Sequence, residues 1–119
     1  MKDFRKQKVW VKTHALALNI YKVKKAFPKE EIYGLTAQIR RACASIPANI
    51  AEGCGQGGEA ELARFLQIAM GSASELQYHL MLAYDLGLLT NSDYNQLDQD
   101  TGEVKQMLTS FIKKLKADR

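Results

Sequence analysis

Residues 59–86, EAELARFLQIAMGSASELQYHLMLAYDL, decide how this chain folds. Leu62, Leu66, Ala69, Ala73, Leu76, Leu80 and Ala83 recur at steps of three and four, a heptad register that lays one apolar seam along a helix. Gly87 follows directly and stops it. So long a single seam is buried only against other helices, and the flanking segments must supply them.

Toward the C terminus, Asn91-Ser92-Asp93 offers N-caps for a helix over about 93–117. Its Tyr94, Leu97, Thr101, Val104, Leu108, Phe111 and Leu115 repeat the register. Toward the N terminus, Gly53-Cys54-Gly55-Gln56-Gly57-Gly58 makes a tight reversal. Before it a helix over about 35–54 is anchored by Leu35, Ile39, Ala42, Ile46, Ile50 and Gly53. Pro47 removes one backbone hydrogen bond there, which predicts a kink near Cys43. The first helix spans about 5–26 and is stopped by Phe27-Pro28. Val9, Leu16, Ile20, Val23 and Phe27 form its core stripe, and Trp10, His14, Ala17, Leu18 and Tyr21 form a second one beside it. A surface helix needs one stripe, so the second means either a central position or a helix partner from another chain, and it is assigned to an oligomer interface. Short connections make neighbouring helices antiparallel. The fold class is therefore all-α: one up-down-up-down antiparallel four-helix bundle over residues 1–119, with helices at about 5–26, 35–54, 59–86 and 93–117.

Composition agrees, with only two prolines and glycine clustered in one place. No apolar run reaches transmembrane length and no leader precedes the charged start. Cys43 and Cys54 lie roughly 16 Å apart along one helix, beyond disulfide reach. A cytoplasmic protein with free thiols is the simplest reading.

The net charge of +4 is segregated. Residues 1–41 carry +8, residues 42–104 carry −8, and residues 105–119 carry +4. Solvated helix faces are one explanation. A second turns Lys6, Lys8, Lys12, Lys22, Lys113, Lys114 and Lys116 toward the phosphates of RNA or DNA. A third docks the basic flank of one protomer on the acidic flank of the next.

Catalytic chemistry finds little support. The glycine-rich reversal follows a helix, not a strand, and lacks the Lys-Ser/Thr pair of a phosphate loop. His14 and His79 have no cysteine or acid at ligand spacing, so no metal is assigned. No cofactor motif is present, and no nucleophile is paired with an activating base. A non-enzymatic protein is expected.

Helix two also carries a polar stripe: Gln38, Arg41, Ser45, Asn49 and Glu52, with Arg40 beside it. Folding back about residues 56–57 places Arg41 opposite Ser72, Gln38 opposite Glu75, Asn49 opposite Arg64, and Ala42 opposite Gly71. This predicts a polar seam in which Gly71 and Ala42 let the backbones approach closely. The seam serves either as a network fixing register, chiefly Arg41 with Glu75, or as a ligand or partner groove using Arg40 and Arg41.

The same residues carry a family resemblance. Gly34-Leu35-x-x-Gln38-x-Arg40-Arg41-Ala42-x-x-Ser45-Ile46-x-x-Asn49-Ile50-Ala51-Glu52-Gly53 resembles the signature of bacterial four-helix bundles encoded in intervening sequences of 23S ribosomal RNA genes. The accessory variability proteins of diversity-generating retroelements are similar. Val9-Trp10, Phe27-Pro28 and Gly71-Ser72-x-x-Glu75-Leu76 extend the match over nearly the whole chain. The resemblance implies a protomer that assembles into a ring, typically a pentamer, with a basic surface. In the retroelement branch it also implies association with nucleic acid and a reverse transcriptase-like protein, and a ribosome-associated protein is the other candidate partner. Gln56 departs from the pattern, since a basic residue often follows the Gly-x-Gly turn there. Two functions follow as expectations: an oligomeric scaffold on nucleic acid, or a protein-interaction module whose charge segregation serves self-assembly or an acidic partner.

Overall fold

Gly57 and Gly87 have backbone φ angles of +85° and +78°, and each closes a helical hairpin. At Gly87 the capping is complete. Its N–H donates to Tyr84 O (2.9 Å) and the Leu88 N–H to Ala83 O (2.9 Å), satisfying carbonyls that the last turn leaves open. The protein, described here by a computed structural model over residues 2–23, 27–29 and 34–117, consists of four helices. They are α1 (Lys8–Val23), α2 (Leu35–Gly55), α3 (Glu59–Asp85) and α4 (Asn91–Ala117). A short 3-10 turn, Phe4–Lys6, precedes α1, and no strand occurs among the described residues.

Each helix packs on the next, and α1 returns onto α4, closing a four-membered ring. Pairing is antiparallel throughout. Ser45 meets Ser72 across α2 and α3, Gln77 meets Asp98 and Lys105 across α3 and α4, and Lys12 meets Asp100 across α1 and α4. The bundle measures 46 × 22 × 20 Å, and α3, at about 1.5 Å per residue, runs nearly its full length.

All seven α3 positions of the heptad register are buried, as are Leu97, Thr101, Val104, Leu108 and Leu115 of α4. The register of α4 departs in two places: Tyr94 and Phe111 are only half-buried, while Ile112 is buried. Val9, Leu16 and Ile20 fill the α1 side, with Val23 and Phe27 packed partly against them. Two buried hydroxyls are satisfied within their own helices, Thr13 donating to Trp10 O (2.8 Å) and Thr101 to Leu97 O (2.7 Å). That removes the cost of burying them.

Several boundaries differ from expectation. The first helix begins at Lys8, not near residue 5, because Asp3 accepts from the Arg5 N–H (3.1 Å) and caps a separate turn. Its described span runs to Val23, and residues 24–26 of the expected helix lie outside the described residues. The fourth helix starts at Asn91, so Asn91-Ser92-Asp93 are its first turn and Thr90 is the cap, its hydroxyl accepting from the Asp93 N–H (3.1 Å). The second helix continues unbroken through Pro47.

The close approach of α2 and α3 is not where the sequence placed it. Gly71 is exposed, and a Cβ built there meets nothing within 4 Å. Gly53 fills that role instead. A Cβ on it would lie 2.8 Å from Phe65 Cβ and 3.1 Å from Leu62 Cδ1. Seating Leu62 and Phe65 against Gly53 moves the hairpin register by about one helical turn.

Candidate nucleic-acid interface

Following that shift, the polar seam forms with different partners. Arg41 bonds Glu75, the chief pair expected of a register-fixing network, although the fold-back had placed it opposite Ser72, and it also donates to Gln38 Oε1 (2.9 Å). Ser45 and Ser72 share a hydroxyl hydrogen bond (2.9 Å). Asn49 turns back on its own helix, donating to Ser45 O (2.8 Å) and Ser45 Oγ (2.9 Å), so the expected Asn49–Arg64 pair is absent. Arg64 pairs with Glu61 (3.1 Å) and lies over the Phe65 ring. Glu52 is exposed, and its charge acts on Arg64. Arg40 leaves the seam altogether, its guanidinium lying 5.7 Å from the Tyr21 ring centroid on α1.

Glu75 is the hub, since it also meets His79 Nε2 at 3.3 Å, correcting the expectation that no acid lies at contact spacing from His79. The Arg41 hydrogen bond, with a smaller contribution from His79, holds its carboxyl below the usual carboxylate range. A depressed folded-state value contributes stability above the unfolded value, about pH 4.3, which is lost as pH falls through the folded value. Glu75→Gln is therefore expected to flatten the acid limb of a melting-temperature profile below about pH 4.3. The side chain is 36% exposed, so solvent screening keeps the loss at pH 7 within about 1 kcal/mol. Wild-type and variant profiles that stay parallel in acid would contradict this.

The seven candidate lysines separate into distinct environments. Lys6 and Lys8, with Gln7 and Val9, line one wall of an open groove of about 510 Å³; Gln106, Met107, Ser110, Phe111 and Lys114 of α4 line the other. Three of these residues are cationic and none is acidic. Lys113 and Lys116 are exposed on the same last turns of α4.

Lys12 does not belong to this surface. It is ion-paired with Glu103 (2.5 Å) and Asp100 (3.4 Å). Its ammonium is pushed upward, first by the Glu103 hydrogen bond, and Glu103 is held low in return. Lys22 lies near the other end of α1, in a smaller groove shared with Asp93. Of the seven candidates, Lys6, Lys8 and Lys114 thus share one edge, where the start of α1 meets the end of α4. Gln7 and Met107 were not among the site residues expected from the sequence, and Val9 and Phe111 were read there as core positions. The pairing of Lys12 with Asp100 and Glu103 is the signal that brings their two segments together.

The second stripe of α1 divides as well. Trp10 and Ala17 are half-buried against the core, with the Trp10 ring 5.0 Å from Phe4 and stacked on His14 at 5.0 Å. His14, Leu18 and Tyr21 are exposed, and so is Val11, which lies outside the expected stripe. Both cysteines are buried and outside any disulfide, and burial pushes the Cys54 thiol up. Among the described residues no cluster of three or more His, Cys, Asp or Glu is placed to hold a metal, and no helix is long and apolar enough to cross a membrane.

Four antiparallel helices with a polar α2–α3 seam and a basic α1–α4 edge define a class of small helical bundle. The model of the 23S rRNA-intervening sequence protein family matches residues 5–110, and the chain belongs to that family. Among solved structures it is similar to a protein of unknown function from the S23 ribosomal protein family of Bacteroides thetaiotaomicron. The two are 30% identical and superpose with a TM-score of 0.81, over 88% of this chain and 95% of that one. No curated protein matches it.

Proposed function

We propose that this protein is a non-enzymatic, ring-forming scaffold that associates with nucleic acid through its basic α1–α4 edge. The observation that carries the reading is the groove lined by Lys6, Lys8 and Lys114 without an opposing acid. Lysines so placed exchange condensed counterions for phosphates, a favourable step that salt suppresses. Lys12 and Lys22, beside carboxylates, contribute little to it. A reverse transcriptase-like or ribosome-associated protein would be recruited to the same nucleic acid. Titrating RNA and duplex DNA against the protein at increasing salt tests the reading. Binding at low salt that falls linearly in log K against log salt supports it, and no binding at low salt removes it.

A protein-interaction reading is favoured by a separate observation: Val11 and Leu18 are each 52% exposed on α1. Both readings need an assembled protein, and these side chains supply an apolar contact for it. Leu18→Glu is expected to dissociate the oligomer while leaving helicity unchanged. Light scattering reads the mass, and an unchanged oligomer would show that this face is not the contact.

A further inference from the structure

We propose that the α1–α4 groove is a subsite for one unpaired nucleotide, with Phe111 and Met107 receiving the base and Lys6, Lys8 and Lys114 holding the phosphates beside it. This rests on the nucleic-acid reading above and narrows it to single strands. Phosphate binding alone needs only exposed cations on a convex surface. Here the cations surround a concavity whose walls include half-buried Phe111, half-buried Met107 and buried Val9. A duplex hides its base faces and would leave that apolar surface wet, whereas an unpaired base has a face to stack. The volume, about 510 Å³, is in the range of small-ligand pockets.

The groove's own ring is Phe111, and the Phe4 and Trp10 rings lie outside its lining. Phe4 and Trp10 flank the lysine-bearing segment and pack edge-to-face at 5.0 Å. A ring beside cations is the pairing that single-strand binders use, and here Phe111 and Lys114 of α4 meet Lys6 and Lys8 from about a hundred residues earlier. A carboxylate on an acyl chain would engage one lysine. Three lysines around one groove match an anion with more than one charge instead.

The test compares three probes by fluorescence anisotropy at about 0.05 M salt: an oligouridylate of about 12 nucleotides, an abasic strand with equal phosphates, and a blunt RNA duplex of equal length. The oligouridylate is expected to bind about tenfold tighter than the abasic strand, the effect of a single stacked base. Phe111→Leu keeps apolar volume but removes the ring, and should erase that difference. A strand carrying 2-aminopurine gives a readout on the unaltered protein: its emission should be quenched on binding. Equal affinity for all three probes, or an unquenched bound base, would overturn the subsite while leaving nucleic-acid binding intact. Failure of all three probes to bind would overturn both.

Discussion

Replacing Lys6, Lys8 and Lys114 together by glutamate should lower affinity for single-stranded nucleic acid by about a hundredfold at 0.1 M salt or below. Three phosphate contacts contribute about 0.7 each to the slope of log K against log salt on single strands, about 2 in all. Extrapolated from about 1 M salt, a slope of 2 amounts to two decades of affinity at about 0.1 M. The variant should therefore bind weakly and with a visibly flatter salt dependence. All three side chains line an open groove at the surface, and none has an acid opposite it there. Lys12→Met is the control. Its ammonium is already neutralised by Asp100 and Glu103, so removing it should leave affinity close to wild type. A Lys12 variant as defective as the triple variant would place the contact elsewhere on α1.

Two glycines of the α2–α3 hairpin should respond to alanine with opposite signs. Each substitution gains helix propensity, about 1 kcal/mol in an exposed helix interior. At Gly71 nothing lies within 4 Å of the new methyl, so Gly71→Ala should stabilise by about 0.5–1 kcal/mol. At Gly53 the methyl would sit 2.8 Å from Phe65 Cβ and 3.4 Å from Leu62 Cα, atoms held by the facing helix. Relief requires α3 to move, and overpacking of this kind costs about 1–3 kcal/mol, enough to outweigh the propensity gain. Gly53→Leu should cost still more, because it drives a whole side chain into the same contact. Chemical denaturation measures all three. A destabilised Gly71→Ala beside a neutral Gly53→Ala would restore the register that the sequence alone suggested.

That register shows where local pattern stops being informative. The apolar steps of α3 fix its buried face because a helix has one period, and all seven seam residues are buried. Its stop is equally legible, since only glycine enters the left-handed conformation of Gly87 without strain. Which residue of α2 faces which residue of α3 is a different matter. It depends on how far two helices slide before they interdigitate, and the missing side chain of Gly53 sets that distance. Arg41 and Glu75 were still recognised as partners, because long side chains tolerate a shift of one turn. The Gly71 and Asn49 expectations failed because short contacts do not.

The candidate site was legible in part for a related reason. Charge segregation is visible residue by residue, so the lysines stand out. Whether a lysine is free depends on what faces it across the bundle. Lys12 and Lys8 are one helical turn apart, yet Lys12 meets two carboxylates while Lys8 borders the groove. Phe111 illustrates the reverse case. It reads as a core position in the α4 register, but half of it is left at the groove because Ile112 takes the interior.

Lysine acetylation footprinting with and without bound single-stranded RNA, read by mass spectrometry, locates the contact on the folded protein. Lys6, Lys8 and Lys114 should be protected by the RNA, with Lys22 modified at the same rate in both states. Protection of Lys22 with Lys6, Lys8 and Lys114 unchanged would show that nucleic acid does not bind at the α1–α4 edge.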